Sequence, residues 1–255
     1  MADQFYKKEI EAEEAATKEA GREYDDLVAS LILIATSNRS KKEKLGLIEN
    51  LNRKMRDFNS RFSKNQVEKA YNQFSREAAK EAKELNATLK VKKKLTGIQH
   101  KEVASLKLEM ESRLNQRLDI LINQAKQLAI KEELAKIREE LGMTDGTEKR
   151  QITPKKTKKE IVFMDTKGRR IKMDTIMRVT VGDQMWDTIN SSKRSTYLRY
   201  GFRWAEHISV IDDRTTKICL ALDHTVRDLT KDKIPPMHPN CRSRIKLLKD
   251  KNLTS

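Results

Sequence analysis

The chain has 255 residues, 36% of them charged and 5% aromatic, with only 8 Gly and 4 Pro. Few chain breakers and few aromatic anchors exclude a β-sandwich or a large globular enzyme core and describe long helices with thin apolar seams. The net charge of +16 is uneven: residues 1–38 hold 4 bases against 9 acids, residues 39–142 stand at +10 and residues 143–255 at +11. A basic body suits an anionic partner, nucleic acid first. The longest near-apolar run, Val28 to Ala35, falls well short of the roughly 20 residues of a membrane span. The N-terminus lacks the basic-then-apolar order of a secretory leader, so a soluble protein is expected. Two cysteines, Cys219 and Cys241, are too few for a disulfide framework, and a reducing compartment is the default.

In chain order, residues 3–37 predict a first helix whose second half, Leu27 to Ala35, is apolar all round and must be buried or meet a partner. The acidic charge of residues 1–38 favours a protein contact over a DNA contact. Ser40-Lys41-Lys42-Glu43 reads as a capping box opening a second helix. Ser63-Lys64-Asn65-Gln66 reads as another, with Phe62 and Val67 as a hydrophobic staple, and predicts a break near residue 62. The third helix should fade in the lysine-rich stretch 90–94. A fourth, over 98–141, carries Val103, Leu106, Met110, Leu114, Leu118, Leu121, Ala125 and Leu128 at 3/4 spacing. Its seam then shifts to Ile130, Leu134, Ile137 and Leu141. Residues 1–142 hold no recognisable chemistry and are read as a long helical domain.

Residues 143–159 read as a basic linker, in which Lys149, Arg150, Lys155, Lys156, Lys158 and Lys159 stand without an intervening acid and are candidate contacts to a nucleic-acid backbone. Beyond it, Ile161 to Met164 and Arg170 to Met173 flank a turn with Gly168 and predict a β-hairpin. Asp174 should cap a helix through Ile189, a further helical stretch should run from Lys193 to Tyr200 and stop at Gly201, and Phe202 to Val210 is a strand candidate. The fold class is therefore mainly α, with a small α+β domain over residues 160–255.

The C-terminal stretch is the most specific. Trp204 is followed by Asp212-Asp213-Arg214-Thr215, Cys219, Leu222-Asp223-His224 and, after a gap, Pro236-Met237-His238-Pro239-Asn240-Cys241-Arg242. This resembles the closing motif of the phage head-morphogenesis family, minor head proteins with a Mu F-like domain. The resemblance covers residues 160–248 and departs from the fuller pattern at Thr216, Ser243 and His224. It implies a virion protein in the capsid interior, present in the host cytoplasm during assembly. Its partners would be the portal protein, capsid or scaffold components and, without sequence preference, the backbone of double-stranded DNA. No membrane and no enzymatic activity are implied.

The residues themselves leave alternatives open. Cys219, His238 and Cys241 supply three ligands of a structural zinc site, with His224 the nearest candidate for a fourth and Asp212 or Asp213 weaker ones. The same thiols could simply pack as small buried groups, with His238 bonded to a backbone carbonyl and no cofactor at all, or could form a disulfide. Asp212, Arg214, Pro239, Asn240 and Arg242 read as a structural clasp that closes the fold. Two further functions remain: a stand-alone nucleic-acid-binding module with a small zinc site, and a metal-dependent nuclease built on His238, Asn240 and Asp212.

Overall fold

A computed structural model describes residues 2–85, 96–140, 161–164, 167–211 and 215–248. Three long helices come first, α1 (Ala2–Ala35), α2 (Lys41–Leu85) and α3 (Thr96–Glu140). A two-stranded antiparallel hairpin comes next, β1 (Phe163–Met164) and β2 (Arg170–Ile171), with Gly168 at φ +73° in its turn. Helix α4 (Met173–Met177) passes through a π-helical segment, Arg178–Gly182, into α5 (Asp183–Arg199). Strand β3 (Trp204–Ile208), the short helix α6 (Lys217–Leu222), β4 (Val226–Asp228) and β5 (Arg244–Leu247) complete the chain, and the three strands form an antiparallel sheet in the order β4-β3-β5. The protein is thus mainly α with a small α+β region, as composition implied. Among the described residues no helix is long and apolar enough to cross a membrane.

The Ser40 capping box is realised: the Ser40 N–H and hydroxyl both donate to Glu43 Oε2, and the Glu43 N–H donates back to Ser40 Oγ. The one expected at Ser63 is not. Helix α2 runs unbroken through residue 62, so three long helices stand where four were expected. Asn59, Phe62, Ser63, Val67, Ala70 and Phe74 are all buried, so the seam continues across the presumed break, and no Gly or Pro interrupts it. Phe62 and Val67 are core residues of one helix, not a staple between two. The fading of a helix at 90–94 lies outside the described residues, as does the whole 143–159 linker.

Contacts divide the chain into two compact units, each drawn from separate stretches of sequence. One comprises residues 18–61 and 112–177. Leu27, Leu31, Ile32 and Ala35 are buried here, alongside Ile48, Met55, Leu118, Leu121 and Ile122, so much of the apolar half of α1 is core, with Ala29 and Leu33 exposed. Tyr24 donates its hydroxyl hydrogen to the Leu114 carbonyl (2.7 Å), and Gln124 clamps the hairpin by bonding both the N–H and C=O of Val162. Of the shifted seam of α3, Leu134 and Ile137 are exposed and Ile130 is half-buried, while Leu141 lies outside the described residues.

The other unit comprises residues 1–17, 62–111 and 178–255. Its apolar centre joins Ala78 and Ala82 of α2 to Tyr197, Tyr200, Phe202, Ala205, Leu229, Ile245 and Leu247. Glu81 ties helix to sheet, accepting from the Tyr197 hydroxyl (2.6 Å) and the Leu247 N–H (3.2 Å). Gly201, at φ +84°, lets the chain turn out of α5 into β3.

Candidate metal centre

Cys219, His238 and Cys241 meet in this second unit. Thr216 caps α6 by accepting from the Cys219 N–H (3.4 Å), which places Cys219 in the first turn with its thiol inward. The return segment arrives through a cis peptide bond between Pro235 and Pro236, and Asn240 turns it in the left-handed region at φ +61°. Asp183 fastens that turn by accepting the Asn240 N–H at 2.6 Å. Asn190 fastens the residues beyond the turn, donating to the Ser243 carbonyl (3.1 Å) and accepting from the Ile245 N–H (3.0 Å). Together these bonds carry Cys241 back to α6 and feed the chain into β5.

The result is a tight group. Cys219 Sγ lies 3.0 Å from His238 Nε2 and 3.6 Å from Cys241 Sγ, and the three ligand atoms all fall within 4.8 Å of one another. Both cysteines are buried, with their sulfurs in contact and unbonded to each other. His238 Nδ1 sits 2.8 Å from the Pro239 carbonyl. A carbonyl oxygen only accepts, so Nδ1 carries the proton and Nε2 presents its lone pair to the cluster. A ligating imidazole is commonly oriented this way by its other nitrogen. The three residues could therefore hold a metal ion.

The expected fourth ligand is elsewhere. The exposed His224 has Nδ1 2.6 Å from Glu206 Oε1, and this carboxylate, with Asp223, raises its pKa. His224 is outside the cluster because its backbone is in the left-handed region (φ +57°), where the chain leaves α6 for β4. Beside the cluster stands Ser243, whose hydroxyl donates to Cys219 Sγ at 3.3 Å. Burial pushes the Cys219 thiol up, partly countered by that bond from Ser243.

Of the predicted clasp, Pro239 and Asn240 form the turn just described, and Arg242 reaches Glu13 of α1, Nε to Oε2 3.8 Å. Asp212 and Arg214 lie outside the described residues, as do Asp213 and the linker residues Lys149, Arg150, Lys155, Lys156, Lys158 and Lys159. Sequence reading missed the partners that α1 supplies. Glu9, fully buried, pairs with Lys193 and lies 3.6 Å from Arg244, whose guanidinium also covers the Tyr6 ring. Glu13 packs so closely on Gly182 that a Cβ there would meet its Oε1 at 2.8 Å. Burial raises the pKa of Glu13 against the pull of Arg242. Two of the acids read as facing a partner protein are therefore spent within the chain. The available signal was their i, i+4 spacing, which puts both on one helix face.

No family model matches the chain, and neither do curated proteins or solved structures.

Proposed function

We propose that this chain is a structural component of a phage head, a minor head protein that associates with the portal and touches packaged or exiting DNA. The observation that carries the reading is the convergence of the His238–Arg242 segment on Cys219, in the stretch that resembles the Mu F-like motif. The bonds from Asp183 and Asn190 make that stretch a closure of the fold, which suits a scaffold part better than an open substrate pocket. The basic balance of the chain suits a particle filled with phosphate.

The same cluster supports one structural zinc ion. Metal–ligand lengths of about 2.3 Å to sulfur and about 2.05 Å to nitrogen give tetrahedral edges of about 3.8 Å (S···S) and about 3.6 Å (S···N). The separations of 3.6 and 3.0 Å need only a few tenths of an ångström of opening. Three protein ligands leave the fourth position to a water, and binding would displace the two thiol protons. A three-ligand set also occurs in catalytic zinc sites, which favours a metal-dependent nuclease as the second reading.

The deciding experiment is co-purification with the portal protein and empty procapsids of the same phage, together with metal analysis and a plasmid-nicking assay. Association with procapsids, about one zinc per chain and no nicking are expected. Nicking that depends on His238 would replace the structural reading with the nuclease. DNA binding without any procapsid association would leave a stand-alone nucleic-acid module.

A further inference from the structure

The stretch of α2 from Lys64 to Leu85 is close to neutral in sequence, since Lys64, Lys69, Arg76, Lys80 and Lys83 alternate with Glu68, Glu77, Glu81 and Glu84. The fold sorts these charges. Glu68 is taken by Lys107, Glu77 by Lys8, and Glu81 by the Tyr197 hydroxyl and the Leu247 N–H. Lys69, Arg76, Lys80 and Lys83 are exposed, and no carboxylate among the described residues pairs with them. Their spacing of 7, 4 and 3 residues puts all four on one face of the helix. Asn72 lies on the same face, exposed, with Gln73 beside it and half-buried, and neither amide bonds another described residue. Lys69, Asn72, Gln73, Arg76 and Lys80 line one shallow hollow, about 460 Å³ in volume, with Glu77 at its side. Among the described residues of α2, Glu84 in the last turn is the one acid left unneutralised next to this face.

We propose that this face of α2 is a phosphate-backbone binding surface, and that its ligand is double-stranded nucleic acid without sequence preference. The assignment rests on the reading of DNA as a partner and locates the contact on α2. From Lys69 to Lys83 the face is about 21 Å long. Duplex DNA presents one charge per about 1.7 Å of axis, so the four cations meet a dense row of phosphates. Asn72 and Gln73 add neutral N–H donors of the kind that bond phosphate oxygens. With Glu77 and Glu81 drawn into the fold and Glu68 paired to Lys107, the cations left on this face form a surface largely of one sign, as a polyanion needs, although the segment as a whole is nearly neutral.

The test measures binding of the full chain to a random-sequence duplex across a salt series. The variants are the triple substitution Lys69→Gln, Arg76→Gln, Lys80→Gln, a control triple in exposed lysines of the other unit (Lys42→Gln, Lys54→Gln, Lys131→Gln), and the linker quadruple Lys155→Gln, Lys156→Gln, Lys158→Gln, Lys159→Gln. Each phosphate contact contributes about 0.9 to the slope of log K against log salt. The α2 triple should therefore reduce the slope by about 2–3 and weaken binding at least ten-fold at about 0.1 M salt, equally on every sequence, with an unchanged melting temperature. The control triple should change affinity by less than about three-fold. Intact binding by the α2 triple, or an equal loss from the control triple, would overturn the assignment to this face. So would a loss confined to the linker quadruple. Absence of binding by the unaltered chain would instead remove DNA as a partner, and the α2 assignment with it.

Discussion

His207, on β3, gives the sharpest test of the small sheet. Its ring is wholly buried, and neither ring nitrogen has a hydrogen-bond partner among the described residues. Burial, reinforced by the nearby positive charge of Arg227 and only partly opposed by Asp223, lowers its pKa from 6.5 to about 4. In the unfolded chain the imidazole returns to about 6.5. The folded value is the lower one, so between pH 6.5 and 4 the unfolded state binds more protons and stability falls as the pH falls. The contribution is fully present above pH 6.5 and is lost as the pH drops toward 4. Going from pH 7.5 to pH 5 should cost this unit at most about 2 kcal/mol through His207. Both tryptophans, Trp186 and Trp204, belong to the same unit, so urea unfolding tracked by their fluorescence reads the right region. Other groups titrate too, among them His224, whose raised pKa acts in the opposite direction. The decisive quantity is therefore the difference between the unaltered chain and His207→Phe. The unaltered chain should lose about 2 kcal/mol more than the variant between the two pH values. Parallel losses would show that the buried imidazole is not the titrating group, and the reasoning from its burial would fail.

Gly182→Ala should destabilise by about 1–2 kcal/mol despite the better helix propensity of alanine, because its Cβ meets the Glu13 carboxylate at 2.8 Å. In a Glu13→Ala background the same substitution should become neutral or stabilising, a non-additivity that a double-mutant cycle in urea would measure. Glu9→Ala should cost about 3 kcal/mol or more, since it leaves the Lys193 ammonium buried without its counter-charge. The double replacement Glu9→Met, Lys193→Met should recover much of that loss. A double variant no better than Glu9→Ala would mean that the helix contact itself, not the charge, is what matters.

Features that depend on a few neighbouring residues are legible in the sequence. The Ser40 box closes on Glu43 within one turn, Gly168 and Gly201 supply the positive φ their turns require, and the motif holding Cys219, His238 and Cys241 points to the three side chains that meet. The Ser63 pattern misleads because a capping box and a buried helical seam can be written with the same residues. Ser40 comes after a polar stretch and starts a helix, whereas Ser63 lies inside a continuous apolar face that burial keeps helical. His224 misleads for a related reason: nearness in sequence to Cys219 does not bring it into the cluster, because the chain turns at His224 itself and gives the ring to Glu206.

Sequence alone determined that this protein is built from long helices with a small α+β region, because few breakers, 3/4 spacing and a proline-braced C-terminus are local properties of the chain. Only the tertiary structure decided where each charge is spent. Glu9 and Glu13 of the first helix meet Lys193, Arg242 and Arg244 from the far end of the chain. Glu68, Glu77 and Glu81 find partners on other segments, while Lys69, Arg76, Lys80 and Lys83 find no carboxylate among the described residues. A helix sets which side chains share a face, but whether a face is neutral or basic depends on what packs against it, and that is a long-range property no local pattern records.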